Sequence, residues 1–180
     1  SNGEYIAILD SDDLWLATDK LSQQVDFLDF NYEYALVGTG VVIIDEKGKE
    51  IKRYINSEGN VAIKNNLLAK NSFAHSSVLY RREAATKLGS YPLGLNGIED
   101  YDLWLRLGTK HKLHNLPLYG LGYRKHSGNI SLTDRLRLME ANLKLIKKYR
   151  QSYPNFYWAW LRRSSRLLVA EILSLFGVDF

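Results

Sequence analysis

Uninterrupted runs of apolar residues alternate along the chain with segments whose apolar residues recur at helical spacing. The first run, at residues 6–9, ends directly before three carboxylates, Asp10, Asp12 and Asp13. Its length and branched side chains predict a strand buried on both faces, in a sheet covered by helices. The carboxylates then follow the carboxyl end of a strand, which is where open α/β sheets bind their ligands.

The pattern after the carboxylates predicts an α/β domain with a sheet flanked by helices. Leu21, Val25 and Leu28 share one face of a predicted helix at residues 19–31. The other elements are predicted, in chain order, as a hairpin of 35–44 and 51–55, a helix at 61–70, a strand at 76–80, a helix at 82–88, a helix that begins at Glu99, and extended segments at 112–119 and 120–126.

The C-terminal part of the chain differs from the rest in charge. Residues 1–131 carry 15 Lys and Arg against 16 Asp and Glu, whereas residues 132–180 carry 9 against 4. A long helix with one apolar stripe and basic other faces is predicted from residue 132, and a second segment rich in Trp, Tyr and Arg follows Pro154. We therefore divide the chain into a domain at 1–131 and a helical, basic and aromatic extension at 132–180.

Residues 152–180 predict a peripheral contact with a membrane, because amphipathic helices with basic flanks and interfacial aromatic residues lie in the headgroup region. The alternative is that these helices pack on the domain or on a second copy in a homodimer. Nucleic acid is not expected as a partner, since no recognised binding motif accompanies the basic residues.

Two absences in the composition narrow the class of protein. The chain has no Cys, which excludes disulfides and thiolate metal sites and favours a reducing compartment. No run reaches the roughly 18 apolar residues that a spanning helix needs. We therefore expect a cytoplasmic protein that is, at most, peripheral at the inner face of the membrane.

The three carboxylates at Asp10, Asp12 and Asp13 repel one another, and a divalent cation with oxygen ligands relieves such repulsion. A metal site is one interpretation, and a polar turn with an N-cap is the other. A second acidic group, Glu99 and Asp100, opens a predicted helix, where the helix dipole favours negative side chains. The same helix terminus is expected to lower the pKa of Asp100 and so to weaken it as a base.

Residues 4–131 resemble the catalytic half of family 2 glycosyltransferases of the GT-A fold. The motifs that carry the resemblance are a strand ending in Asp10-Ser11-Asp12-Asp13, Glu99-Asp100 at the start of a helix, His126 after an extended segment, Asn71-Ser72-Phe73, Ser76-Ser77-Val78 and Lys87-Leu88-Gly89-Ser90-Tyr91. The resemblance implies a truncated GT-A domain, in which the nucleotide-binding half precedes residue 1 and is missing.

On the donor side, the resemblance implies a nucleotide-sugar whose diphosphate lies against Asp10, Asp12 and Asp13. Asp12, Asp10 and His126 would surround Mn²⁺ or Mg²⁺. Asp12 would be the direct ligand, Asp10 would lie nearer the ribose or the waters of the metal, and His126 would add a ligand to the metal or the diphosphate.

On the acceptor side, the resemblance implies that Asp100 is the general base for an inverting transfer to a carbohydrate or lipid-linked hydroxyl, in surface polysaccharide or glycoconjugate synthesis. Glu99 and Trp104 would lie on the acceptor side or orient the base, although core packing is the simplest role of Trp104. The Gln-x-x-Arg-Trp sequence of processive synthases is absent downstream of Glu99, which favours transfer of a single sugar.

Two other hypotheses fit the same residues. A phosphohydrolase of the haloacid dehalogenase type would use Asp10 as nucleophile, but Leu14 stands where that motif has Thr or Val. A truncated domain without catalytic activity would share the fold. The remaining histidines, His75, His111 and His114, are interpreted as structural or surface residues.

Overall fold

The computed structural model describes residues 2–91, 94, 95, 97–126, 128 and 134–176. In these residues a mixed sheet is flanked by helices, as the sequence predicts. The strands are β1 Tyr5–Ala7, β2 Leu14–Trp15, β3 Tyr34–Ile44, β4 Glu50–Tyr54, β5 Leu79–Arg81 and β6 Lys112–Arg124. The α-helices are α1 Lys20–Phe30, α2 Asn60–Asn66, α3 Arg82–Lys87, α4 Glu99–Lys110, α5 Arg135–Lys148 and α6 Phe156–Leu175.

The long strand β3 organises the sheet. The strand order is β1-β5-β3-β6-β2. The remaining strand, β4, lies outside this order and pairs with β3. β3 runs parallel to β6, while every other pairing in the described sheet is antiparallel. Nearly all of β3 is buried, which agrees with its continuous β-branched and apolar sequence. The predicted hairpin is confirmed, because β3 turns back into β4 with Val41 opposite Tyr54.

Gly38 lets β3 approach the side chains of Phe73 and Asn115. A Cβ at Gly38 would lie 2.3 Å from Asn115 Oδ1 and 2.8 Å from Phe73 Cδ1, so no larger residue fits. Asn115 Nδ2 donates to the carbonyl groups of Ser57 and Ser72 at 2.9 and 3.1 Å. The backbone around residue 72 is therefore fixed to the centre of the sheet.

Pro117 lies within β6 without ending it. Thr39 of β3 pairs with Leu116, and the next residue, Gly40, pairs with Tyr119. Pro117 and Leu118 are thus left out of the register, at an irregularity where a missing backbone N–H costs no ladder hydrogen bond. The two extended segments predicted at 112–119 and 120–126 form this one strand.

The expectation that the first strand is buried on both faces is wrong. Tyr5 and Ile6 are half-buried, Ala7 is exposed, and Leu9 in the following loop is 47% exposed. In the described sheet β1 is an edge strand that pairs with β5 alone. The apolar run predicts that the segment joins a sheet. It does not predict how many neighbouring strands pair with it.

The strand predicted at 76–80 begins later than expected. Residues His75–Ser77 form a 3₁₀ turn, and β5 comprises only Leu79–Arg81. Ser77 Oγ donates to the carbonyl of Ala74 at 2.7 Å, and the backbone N–H of Ser77 donates to the same carbonyl at 3.0 Å. Such local bonds compete with a strand ladder. The turn directs His75 and Ser76 towards the loop after β1.

Helix α4 begins at Glu99, as predicted, and its apolar face forms the centre of the core. Leu103 and Leu107 are fully buried. The Trp104 ring is also fully buried and makes edge contacts with Phe73 and Tyr80, at centroid distances of 6.5 and 5.6 Å. The start of α4, which bears Glu99 and Asp100, is therefore held rigidly by the packing of its later turns.

The buried carboxylate of Asp102 joins α4 to α5. Its Oδ2 accepts Arg106 Nε at 2.7 Å, and its Oδ1 accepts Tyr149 Oη at 2.8 Å and Lys148 Nζ at 3.2 Å. Tyr153 adds a hydrogen bond to the carbonyl of Leu105 at 2.6 Å. A carboxylate that is 1% exposed needs such partners, because an unpaired buried charge is costly.

The last two helices, α5 and α6, lie against each other and against α4. Leu145 and Ile146 of α5 and Ala159 of α6 belong to the same buried core as α4. None of the helices in the described residues combines the length and the apolar character needed to cross a bilayer.

Candidate active site

Asp10 lies in the loop after β1, and two side chains from the 3₁₀ turn hold its carboxylate. His75 Nδ1 is 3.0 Å from Asp10 Oδ1 and 3.1 Å from Oδ2. Ser76 Oγ donates to Asp10 Oδ2 at 3.0 Å and lies 3.1 Å from the backbone N of Asp10. The hydrogen bond with His75 holds the pKa of Asp10 below its usual range, although burial opposes the shift. Asp10 is an oriented, ionised carboxylate.

Asp12 and Asp13 face the end of β6. Asp12 Oδ2 lies 3.0 Å from His126 Nε2, although 114 residues separate the two in sequence. Asp13 Oδ1 accepts the backbone N–H of Arg124 at 3.0 Å, and Arg124 Nε donates to the carbonyl of Asp12 at 3.0 Å. Burial raises the pKa of Asp13, and the charges of Asp12 and Asp10 add to that effect. The end of β6 thus fixes the carboxylate loop against His126.

Asp100 occupies the first turn of α4 and is half-buried. Its Oδ2 accepts Asn71 Nδ2 at 3.3 Å, and Asn71 Oδ1 accepts the backbone N–H of Phe73 at 3.1 Å, which orients the amide. Burial raises the pKa of Asp100, against the lowering effects of His75, the Tyr101 amide and Asn71. The expectation of a lowered pKa is wrong, because dehydration of the carboxylate outweighs the helix terminus. The ionised form is a stronger base as a result.

His75 contacts Asp10 and is affected by the charges of Asp100 and Glu99. One ring nitrogen faces Asp10, and the other, Nε2, lies 3.1 Å from Tyr91 Oη. Burial alone lowers the pKa of His75, but the hydrogen bond and charge of Asp10, with the charges of Asp100 and Glu99, outweigh it and raise the pKa. The imidazole therefore contacts the loop after β1 directly, and the charges at the start of α4 affect its pKa.

Sequence reasoning missed His75, Ser76 and Tyr91 as members of this constellation. His75 was grouped with the structural or surface histidines, and its contact with Asp10 spans 65 residues. The available signal was positional, since the motifs that carry the family resemblance flank His75 on both sides. Neither hydrophobic periodicity nor charge marks it.

The two candidate orienting residues, Glu99 and Trp104, differ in their surroundings. Glu99 is half-buried, and its Oε2 accepts the backbone N–H of Gly97 at 2.6 Å. Trp104 is 0% exposed and packs among aromatic rings, so its side chain is not accessible to an acceptor substrate. Trp104 is therefore a core residue of α4.

The donor set at the carboxylate loop suits a hard divalent cation without forming a closed cage. No three His, Asp or Glu side chains converge on a metal position within the described residues. Asp12 and His126 are in direct contact, while the Asp10 carboxylate is directed to His75 and Ser76. Mg²⁺ is commonly bound by one or two carboxylates, with water and substrate phosphates as further ligands. Asp12 would supply such a carboxylate, and His126, which contacts it, would add a nitrogen ligand.

Comparison with known proteins places the chain in a family. A family model described as "Glycosyltransferase like family 2" matches residues 1–158. The amylovoran biosynthesis glycosyltransferase AmsE of Erwinia amylovora is 35% identical over 114 residues, which is 62% of this chain and 41% of AmsE. The O-antigen biosynthesis glycosyltransferase WbnJ of Escherichia coli is 36% identical over 125 residues, which is 68% of this chain and 48% of WbnJ. The chain thus spans less than half the length of these two relatives.

The fold has counterparts among solved structures. The mannosyltransferase PcManGT from Pyrobaculum calidifontis, in complex with GDP-Man and Mn²⁺, aligns with a TM-score of 0.57 at 17% identity, over 96% of this chain and 51% of that one. The likeness supports the predicted GT-A architecture, and the family match over most of the chain confirms the predicted family. This chain belongs to the glycosyltransferase-like family 2.

Proposed function

We propose that the protein transfers a single sugar from a nucleotide-sugar donor to an acceptor hydroxyl, with inversion, in the synthesis of a surface polysaccharide. The observation that carries the proposal is that His75 contacts Asp10 directly while the charges of Asp100 and Glu99 help to raise its pKa, which supports one site for a donor-side and an acceptor-side carboxylate. The names of AmsE and WbnJ, which refer to amylovoran and O-antigen biosynthesis, support the product class.

On the donor side, Asp12 and His126 are the residues that would hold Mn²⁺ or Mg²⁺. Asp13 and Arg124 keep the loop in place, and Asp10, held by His75 and Ser76, would lie near the ribose or the waters of the cation. A bound divalent cation would neutralise the charge that develops on the departing diphosphate. The Mn²⁺ bound to PcManGT supports this assignment by analogy of fold.

On the acceptor side, Asp100 takes the proton of the attacking hydroxyl. Its raised pKa strengthens it as a base, and the amide of Asn71 orients one of its oxygens. A single displacement needs one base and no protein nucleophile, and it inverts the anomeric centre. Glu99, which is fixed by Gly97, adds negative charge beside the base.

The test is a transfer assay on the protein with a panel of nucleotide-sugars and Mn²⁺. Asp100→Asn keeps the shape of the side chain but removes the base, and we expect kcat to fall by about 10²–10⁴-fold. Asp26→Asn, an exposed carboxylate on α1, is the matched control and should leave kcat unchanged. Full activity of Asp100→Asn would show that another group accepts the proton.

The family match favours this function over the phosphohydrolase hypothesis. A domain without activity is the remaining alternative, and a titration with Mn²⁺ and a nucleoside diphosphate distinguishes it, since an active site of the proposed kind binds both.

We place the protein in the cytoplasm at the inner face of the membrane, where a carbohydrate or lipid-linked acceptor is within reach. Residues 152–180 would provide the contact with the membrane, and a homodimer through the same residues is the alternative.

A further inference from the structure

Lys20, in the first turn of α1, is a buried cation. Its side chain is 1% exposed, although Lys is almost never fully buried unless it is paired. Its Nζ donates to Gln24 Oε1 at 2.8 Å and lies 4.4 Å from the centre of the Trp15 ring. Burial lowers the pKa of Lys20 to about 8, so the amine still carries its proton at neutral pH. In the described part of the chain, its partners are therefore an amide oxygen and an aromatic face, and no carboxylate forms an ion pair with it.

Gln24 joins Lys20 to the 3₁₀ turn His75–Ser77. The Gln24 side chain is 0% exposed, and its Nε2 donates to the carbonyl of Val37 in β3 at 2.9 Å and to that of Ser77 at 3.0 Å. The orientation of this amide follows from its partners, because an ammonium can only donate and carbonyl groups can only accept. Lys20 therefore keeps the NH₂ group of Gln24 directed at the turn.

Trp15 joins Lys20 to the same turn by a second route. The ammonium lies over the ring, where the negative face of an indole attracts a cation. Trp15 Nε1 donates to the carbonyl of Ser76 at 2.9 Å, and Ser76 Oγ in turn donates to Asp10 Oδ2 at 3.0 Å. Two successive carbonyl groups of the turn are thus held by donors that both contact Lys20. We call Lys20, Gln24 and Trp15 the Lys20 cluster.

We propose that the Lys20 cluster positions the 3₁₀ turn, and through it the Asp10 carboxylate, for binding of the nucleotide-sugar donor. The inference rests on the proposed function, in which Asp10 lies on the donor side. Because Lys20 is buried, it acts through other residues and is a positioning residue. Stability alone does not require an ammonium here, since apolar side chains that replace buried charged groups are often neutral or stabilising.

The first measurement is hydrogen exchange followed by NMR, which does not depend on activity. Two groups report on the turn: the indole N–H of Trp15, and the backbone N–H of Asp10, which donates to Ser76 Oγ at 3.1 Å. In Lys20→Met we expect both to exchange about tenfold faster, because local opening becomes easier when the turn is held less firmly. The backbone N–H groups of the buried helix α4 should keep their rates.

The second measurement is the kinetics of sugar transfer. Lys20→Met should lower kcat/KM for the donor by about tenfold and leave the KM of the acceptor unchanged, since a small displacement of an orienting group is costly. Gln24→Glu keeps an acceptor for Lys20 but loses the N–H donors to both carbonyl groups, and we expect a similar loss. The matched controls are Gln23→Glu, at the neighbouring exposed position of α1, and Lys144→Met, at an exposed position of α5. Both should leave the kinetics and the exchange rates unchanged.

The two measurements separate this inference from the proposed function. If the unchanged protein transfers no sugar, the proposed function fails, while faster exchange confined to Trp15 and Asp10 would still support the positioning role. Unchanged exchange at both groups in Lys20→Met and Gln24→Glu would overturn it. Faster exchange throughout α4, or loss of folding, would assign Lys20 to stability instead. Local acceleration with full transfer activity would show that the donor does not depend on the position of the turn, which also overturns the proposal.

Discussion

His75 and Asp10 are in contact through His75 Nδ1 and the Asp10 carboxylate, at 3.0 Å. The other ring nitrogen lies 3.1 Å from Tyr91 Oη, so both edges of the imidazole are engaged. In the neutral ring this arrangement corresponds to an Nδ1–H that donates to Asp10 and an Nε2 that accepts from Tyr91. His75 therefore holds the Asp10 carboxylate through one ring nitrogen and contacts Tyr91 through the other.

The first prediction concerns this positioning role. His75→Ala removes the donor that orients Asp10, and we expect kcat to fall by about 10–100-fold, as is typical when a partner of a site carboxylate is removed. His75→Asn retains an N–H near the position of Nδ1 and should recover part of the loss. His111→Ala, a histidine outside the site, is the control. Equal activity of His75→Ala and His75→Asn would show that the ring fills space without orienting Asp10.

The second prediction concerns the cation. Asp12→Asn and His126→Ala should each weaken Mn²⁺ binding in the presence of a nucleoside diphosphate by more than about tenfold. Each removes one of the two side chains, in contact with each other, that would bind the cation. Isothermal titration calorimetry or the electron paramagnetic resonance signal of free Mn²⁺ measures the affinity. Asp26→Asn serves again as the control. Unchanged Mn²⁺ affinity in Asp12→Asn would remove this residue from the ligand set.

The third prediction concerns pH. Asp100 acts as a base only when ionised, so activity falls as the pH drops through its pKa, and burial has raised that pKa above the ordinary value of about 3.9. The hydrogen bond from Asn71 favours the ionised form. Asn71→Ala should therefore raise the pKa of Asp100 further and move the acid limb of the kcat/KM profile to higher pH. Asn66→Ala, on α2, should not move it, and an unshifted limb in Asn71→Ala would contradict the assignment of the limb to Asp100.

The fourth prediction concerns the attachment of α5. Asp102→Ala leaves the Arg106 guanidinium and the Tyr149 hydroxyl without their buried acceptor, and we expect the free energy of unfolding to fall by about 3 kcal/mol. Urea denaturation followed by circular dichroism measures the change. Glu83→Ala, which removes an exposed partner of Lys87 on α3, should change stability little. Similar stability of Asp102→Ala and Glu83→Ala would mean that the apolar contacts alone hold α5.

The elements that the sequence predicted well are those whose signal is local. A continuous run of apolar and β-branched residues, followed by a turn at 45–48, specifies the hairpin of β3 and β4. Acidic residues followed by an amphipathic pattern specify the start of α4 at Glu99. The sequence also identifies the three carboxylates after residue 9 and the pair Glu99-Asp100 as candidate site residues, because acidic residue types can be recognised without the fold.

The tertiary structure decided which of these groups meet and in what state. The contact of Asp10 with His75 and that of Asp12 with His126 depend on the path of the chain through β3, β5 and β6, which no local pattern encodes. The raised pKa of Asp100 depends on dehydration by residues distant in sequence, which reverses the local effect of the helix terminus. Periodicity and composition report the energetics of neighbouring residues along the chain, whereas burial and long-range hydrogen bonds exist only once the chain has folded.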